Sequence, residues 1–257
     1  MNELIRLEDV HISIKKENTQ IVKGVDLSVY KGKATVIVGE SGSGKTMLIK
    51  AVTGILNRKN LLIEGHAYFE GVDLFGLNEQ TRRNYCPRLA MIMQNPMTAF
   101  EPSVKIGKQM SLGMKDSRSG VRERSVQALE AMGLPRAGQL LKAYPHELSG
   151  GMLQRVMLAI AMLGNAALIA ADEPTTALDA VSRRLVLDKL NQLKKRGVGV
   201  LLVTHEFTVA REIADYIIVM KDGKFIETGE ADAILNNPRK DYTKALLAAG
   251  ILHREEH

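Results

Sequence analysis

Cysteine is almost missing from this sequence. The lone thiol, Cys86, excludes an intramolecular disulfide and cannot by itself form a cysteine metal site. Long apolar runs are missing too. The longest, such as AALIAA from Ala166, fall far short of the roughly 20 residues that a membrane helix needs. The first residues, Met1 to Asp9, carry acids and no long apolar run, so no signal peptide is expected. These absences predict a soluble, cytoplasmic chain. The sequence also lacks internal repeats, low-complexity runs and long linkers.

What is present is enough for a large domain, or a domain with a subdomain, in 257 residues. The apolar share of 45% is ordinary and can supply a core. The formal charge of +6 suits acidic partners such as nucleotide, nucleic acid or a membrane surface, and equally suits a mildly basic solvated surface.

Leu4 to Ile14 alternates like a strand, Lys16 to Gln20 reads as a turn, and Ile21 to Tyr30 as a second strand. Thr35 to Val38 is short, apolar and β-branched, as a buried parallel strand should be. A helix is predicted over Met47 to Ile55. In EGHAYFEGVDL, glycines punctuate a short strand, which suggests an antiparallel hairpin. From Asn95 to Leu163 helical patterns replace strand patterns, for example over Val121 to Met132. Ala167 to Ala171, Val198 to Thr204 and Tyr216 to Met220 then return to short buried strands, with a helix predicted over Val181 to Lys195. Strands alternating with helices imply a parallel α/β sheet carrying a helical insertion. A short helix is expected after Asn237.

Gly39, Glu40, Ser41, Gly42, Ser43, Gly44, Lys45 and Thr46 fit the phosphate-loop pattern G-x-x-x-x-G-K-[ST] between a strand and a helix. Such a loop aims backbone N–H groups at phosphate oxygens, and the helix N-terminus adds partial positive charge. Lys45 would reach the β- and γ-phosphates, and Thr46 would offer its hydroxyl to Mg²⁺. The alternative is a flexible glycine loop, which needs neither lysine nor threonine in register. Asp172 and Glu173 close an apolar strand. There Asp172 would hold the Mg²⁺ shell and Glu173 would polarise an attacking water. By themselves they read as an ordinary acidic loop. The phosphate loop changes that, because parallel strands end on one side of a sheet. Ser149, Gly150 and Gly151 open a second apolar helix, with Ser149 able to cap it. That is a capped helix, or a second anion site serving a nucleotide on a partner subunit.

In order along nearly the whole chain, these motifs resemble the nucleotide-binding subunit of an ATP-binding cassette (ABC) transporter. The resemblance takes in Gly39 to Thr46, Gln94, Leu148 to Met152, Asp172 with Glu173, Ala177 to Asp179, and His205. It implies one ABC ATPase domain: a P-loop parallel-sheet core with an N-terminal antiparallel β subdomain (1–94 and 164–236), an inserted α-helical subdomain (95–163) and a short C-terminal extension (237–257). It also implies a head-to-tail dimer with an identical or homologous ATPase. ATP on one loop would be clamped by the other subunit's Ser149-Gly150-Gly151 region, with Asp179 in the dimer element. Glu173 would be the base, His205 would contact the γ-phosphate, and Gln94 would link Mg²⁺ to the membrane side. Thr46, Asp172 through water, and Gln94 would be the metal ligands. Two permease subunits and an external solute-binding protein are the implied partners, placing the chain on the cytoplasmic face of the membrane.

MIMQNPMTAFEP and NNPRKDYTKALLAA resemble the peptide and nickel importer branch. MQNP with LSGGMLQR is closer to its nickel or metallophore members than to its peptide members. Four departures stand out. Met152 replaces the usual glutamine. No four-cysteine iron–sulfur cluster is present, and the tail has no room for a regulatory domain. Ile14 aligns with an aromatic that normally stacks on adenine; Tyr30 or the KKENTQ turn are the other candidates to cover the base.

Rival functions fit less well. ABC proteins acting on nucleic acid or ribosomes usually resemble tandem cassettes or carry long coiled-coil insertions, so nucleic acid is not expected as a partner. A small-molecule kinase needs neither LSGGM nor ALD. HEFTV at His205 and HELSG at His146 lack the second histidine of a zinc-protease motif. His253 and His257 read as solvated tail residues. Met91, Met93 and Met97 read as adaptable packing rather than metal trafficking.

Overall fold

The computed structural model describes residues 2–17, 19–56, 58–82, 84–112, 114, 120–176 and 178–252. Ala177, His253 and His257, singled out above, lie outside the described residues. Strands β1 (Glu3–Ile14) and β2 (Thr19–Tyr30) lead into β3 (Ala34–Val38) and helix α1 (Lys45–Val52). β4 (Leu61–Phe69), β5 (Val72–Asp73), short α2 (Glu79–Arg82) and β6 (Leu89–Ile92) follow. Next come α3 (Ile106–Leu112), α4 (Val121–Ala131), α5 (Ala137–Leu140) and α6 (Gly150–Leu163), with no strand among the described residues between them. The chain then runs through β7 (Leu168–Asp172), α7 (Ala180–Lys195), β8 (Gly199–Thr204), α8 (Phe207–Ile213), β9 (Tyr216–Lys221) and β10 (Lys224–Glu230). It ends on α9 (Ala231–Asn236) and α10 (Asp241–Leu252).

Two sheets result. The first is antiparallel, in the order β2-β1-β4-β5. The second has the order β10-β9-β3-β8-β7-β6 and is parallel except for its edge strand β10. This is the expected α/β architecture.

Strand alternation explains how the layers hold together. Val36, Ile169, Val200 and Ile217 face a core shared with α4, α6, α7 and α8. Their neighbours Ile37, Leu168, Leu201 and Ile218 face a second core shared with α1 and the antiparallel sheet. Both faces are therefore dry, and every residue of β3, β7 and β8 is buried.

Register then fixes where chemistry can occur. Val38 pairs with Thr204, and Asp172 pairs with Val203. The carboxyl ends of β3, β7 and β8 thus come level, and the segments from Gly39, Glu173 and His205 leave the sheet side by side. β6 runs parallel beside β7, with Ile92 opposite Ala171, and sends Gln94 out at the same edge.

Some sequence expectations need correction. Gly65 lies inside β4 rather than at its start, opposite the β1 irregularity between Glu8 and His11. A Cβ there would stand 2.3 Å from the Asp9 carbonyl, so glycine lets the bulged strand approach. The helix expected to run to Ile55 stops at Val52, before Thr53 and Gly54. β10, α8 and α9 had no sequence reading. Among the three methionines, Met91 and Met93 pack against the two cores, whereas Met97 is exposed.

Candidate nucleotide-binding site

The loop from Gly39 to Lys45 crosses from the end of β3 to the start of α1 under tight backbone constraint. Gly44 has φ 104°, and a Cβ there would stand 2.9 Å from the Ile21 carbonyl at the start of β2. The loop is held from behind as well, by the Gly223 amide donating to the Ser43 carbonyl at 3.0 Å. No side chain caps α1 at Gly44, so its first amides remain available to a ligand. An uncapped helix N-terminus with a small-residue approach is an anion cradle.

Lys45 occupies that cradle. Its Nζ donates to the Gly39 carbonyl at 2.7 Å and the Glu40 carbonyl at 2.8 Å. Burial pushes its ammonium below the ordinary lysine range, and the charges of Glu173, Asp172 and Glu40 oppose that. Those acids keep the ammonium charged despite burial, and its present carbonyl partners are ones that phosphate oxygens could replace.

Thr46 Oγ1 donates to Asp172 Oδ1 at 2.9 Å. Burial raises the Asp172 carboxyl above the usual aspartate range, partly countered by Thr46 and by nearby Lys50. A hydroxyl and a buried carboxylate at this separation form a hard oxygen pair, which fits Mg²⁺ and does not favour softer metals.

Glu173 is buried and has φ 50°, a left-handed conformation that is costly for glutamate. Several bonds hold it there. Its amide donates to the Val203 carbonyl at 3.0 Å, Thr176 Oγ1 donates to Oε2 at 2.8 Å, and His205 Nδ1 lies 2.8 Å from Oε1. The imidazole is itself about half exposed, so the pair faces both the cradle and the surface.

The remaining residues are placed differently. Gln94 is exposed just beyond β6, followed by a tight helical turn over Pro96–Ala99 that the Asn95 side chain caps. Ser149 and Gly150 are exposed at the start of α6, where the Ser149 hydroxyl accepts from the Met152 amide at 3.3 Å. Asp179 caps α7, accepting from the Ser182 amide at 2.9 Å and hydroxyl at 2.7 Å. Those bonds, the amide first, hold its carboxyl below the usual range. Ser149 and Asp179 bond to the first turns of their own helices and the Gly151 carbonyl accepts from Arg155, so among the described residues no such bond joins them to the cradle of this chain. Ile14 is half-buried where β1 ends, pairing with Thr19, at the end of β2 that adjoins Gly44. Tyr30 is corrected as a candidate: it sits at the opposite end of β2, against Glu3, and lines a cavity of about 750 Å³ with Lys33 and Tyr216.

Two supporting residues escaped the sequence reading. Gln154, buried within α6, donates from Nε2 to the Pro174 carbonyl at 2.9 Å and so ties that helix to the loop beyond Glu173. Arg183 of α7 is ion-paired with Glu206, next to His205. A glutamine on an otherwise apolar helix face was the available signal for the first; nothing local marked the second.

A parallel sheet ending on an uncapped helix N-terminus that carries a lysine is the architecture of a phosphate-loop nucleotide-binding protein. The comparisons narrow this class. The family model for ABC transporters matches residues 22–176. The oligopeptide transport ATP-binding protein OppD of Bacillus subtilis is 36% identical over 97% of this chain and 72% of its own length. The metal-staphylopine import system ATP-binding protein CntD of Staphylococcus aureus is 36% identical over 95% of this chain and 92% of its own. A solved dimeric ATP-binding cassette in a post-hydrolysis state with ADP and Pi superposes with a TM-score of 0.79 at 26% identity, covering 89% of this chain and 99% of that one. This chain belongs to the ABC transporter family and is an ATP-binding, ATP-hydrolysing member of it.

Proposed function

We propose that the chain is the ATPase subunit of an importer, on the cytoplasmic face of the membrane through two permease subunits and fed by an extracytoplasmic solute-binding protein. None of its described helices is long and apolar enough to cross a membrane itself. The observation that carries the catalytic reading is the convergence of Lys45, the Thr46–Asp172 pair and the Glu173–His205 pair at three level strand ends.

In this reading the loop amides and Lys45 bind the β- and γ-phosphates. Thr46 and Asp172, the latter through water, hold Mg²⁺, with Gln94 a further ligand that reports to the membrane-facing surface. When bound there, Mg²⁺ would supply charge neutralisation at the phosphate oxygens. Glu173 accepts a proton from water as that water attacks the γ-phosphorus, the bond to the bridging oxygen breaks, and ADP leaves. His205 orients Glu173 and touches the γ-phosphate. A second ATPase subunit, identical or homologous, supplies its own Ser149, Gly150 and Gly151 across a head-to-tail interface, with Asp179 beside it. The segments 1–94 and 164–236 would then form the nucleotide-binding core, and the surface around Gln94 to Pro102, with the helical subdomain 95–163, the permease dock.

For cargo, the MQNP and LSGGMLQR motifs and the similarity to CntD favour a nickel, metal–chelate or metallophore solute. Equal identity to OppD supports a di- or oligopeptide instead. The test is purification of the intact complex. ATP turnover should be low for the chain alone, rise on assembly with permeases, and rise again with the solute-loaded binding protein. A fully active, strictly monomeric chain would end the proposal.

A further inference from the structure

Helix α10 lies outside the machinery described so far, yet it reaches the back of the phosphate loop. It is anchored at its start. The buried carboxylate of Glu227, in β10, accepts from the amides of Arg239 at 2.7 Å and Lys240 at 3.1 Å. Burial alone would raise that carboxyl; contacts at the start of α10, the two amides among them, outweigh burial and hold it below the usual glutamate range.

From this anchor Tyr242 extends to β9. The Lys221 ammonium sits 4.6 Å from the centre of its ring. Lys221 directly follows Met220, whose carbonyl crowds Gly39 so closely that a Cβ there would stand 2.1 Å away. The turn after β9 grips the loop again through Gly223 and Ser43, and Gly223 also accepts from the Lys23 amide at 2.9 Å. Tyr242, Lys221 and the Gly223 turn therefore form one continuous support behind residues 39–43.

The Tyr242 hydroxyl is buried without a hydrogen bond of normal geometry. Glu40 is its neighbour. Burial pushes the phenol up, the Glu40 backbone amide opposes this, and the charges of Glu40 and Asp222, with a contact to the Glu40 carboxylate, add to the rise. A buried hydroxyl held only by poorly aligned contacts with Glu40 is costly, and phenylalanine would fill the same space without it. The hydroxyl gains a use when the loop is loaded. Lys45 now satisfies the carbonyls of Gly39 and Glu40. A lysine that turns to phosphate releases both.

We infer that Tyr242 is a positioning residue for the phosphate loop: from the C-terminal helix, together with Lys221, it steadies Gly39 and Glu40 when Lys45 leaves their carbonyls for a nucleotide phosphate. This rests on the role given to Lys45 under Proposed function.

The test is equilibrium binding of ATP and ADP to the full-length chain, with thermal midpoints, for wild type, Tyr242→Phe, Tyr242→Ala and Lys45→Ala. Phenylalanine keeps the ring and its contact with Lys221 and removes only the hydroxyl. Tyr242→Phe should weaken ATP and ADP alike by about three- to fivefold, the scale of one hydrogen bond, with an unchanged or higher midpoint. Tyr242→Ala should weaken both further; if it fails to fold, the phenylalanine variant decides alone. A merely structural tyrosine would give a lower midpoint with unchanged affinity, and wild-type affinity in Tyr242→Phe overturns the inference. The Lys45→Ala arm separates the two layers. If nucleotide affinity is undiminished by that change, the role given to Lys45 falls and takes this inference with it.

Discussion

Two helices of this molecule begin on small-residue loops, and they are finished to different degrees. At α1 the loop is packed against β2 and the Gly223 turn, no side chain caps the helix, and Lys45 fills the cradle. At α6 the loop is exposed, Ser149 caps its own helix, and the space where a Gly150 side chain would stand is open. Each N-terminus carries the same partial positive charge. Only the first has a buried cation, a hard oxygen pair and a buried acid around it. A helix end thus becomes a complete site through what other strands bring to it. In the function proposed above, the second end is half a site, and its other half belongs on another subunit.

The contrast can be broken from either side. The largest effect is expected at the completed site. Glu173→Gln keeps the shape of the side chain but removes the proton acceptor. Turnover of the assembled complex should fall by about 10²- to 10⁴-fold while ATP still binds, leaving a closed, ATP-loaded dimer. Steady-state hydrolysis within a few-fold of wild type would remove Glu173 as the base.

Lys45→Ala should come next. Loss of two charge-assisted phosphate contacts corresponds to about 100-fold in nucleotide affinity, measurable on the isolated chain by calorimetry. Undiminished binding would mean that backbone amides alone make the site.

Gly150→Asp addresses the unfinished end. The open space accommodates the side chain, and an acid in the first turn suits the helix dipole, so the fold should hold. Affinity of the isolated chain should stay at the wild-type value. Turnover of the assembled complex should drop by about tenfold or more, because the acid faces the partner's nucleotide. If monomer affinity dropped instead, Gly150 would belong to this chain's own pocket.

The smallest effect is expected at Ile14. Stacking on an aromatic is worth about 1–3 kcal/mol per base in single-strand nucleic-acid binders, and isoleucine recovers part of that by contact. Ile14→Tyr should therefore tighten ATP by about 1 kcal/mol, or roughly fivefold. Wild type should discriminate weakly between ATP and GTP. Strong ATP preference in wild type, with no gain in the variant, would show that another group already holds the base.

Much of this was legible before any coordinates. The buried strands β3, β7, β8 and β9 announced themselves as short apolar runs, because a parallel strand covered on both faces has no polar side to disguise it. The phosphate loop was legible because close backbone approach demands glycine at fixed spacing. Other features were not. β10 reads KFIETGE, with no buried run to mark it as an edge strand. Gly65 looked like punctuation because its role depends on a bulge in another strand. Arg183 and Tyr242 carry no local signal, and Gln154 only that of a glutamine on an apolar helix face, since each acts on a partner elsewhere in the chain.

The sequence by itself determined most of the elements, the phosphate-loop pattern and the family, because hydrophobic period, glycine spacing and motif order are all local properties of the chain. Only the tertiary structure decided that Thr46 meets Asp172, that His205 meets Glu173, that Tyr30 lies at the wrong end of its strand, and that α10 backs the loop. Those facts depend on parallel register and helix docking, which bring together groups separated by 126 residues in the first case and 32 in the second.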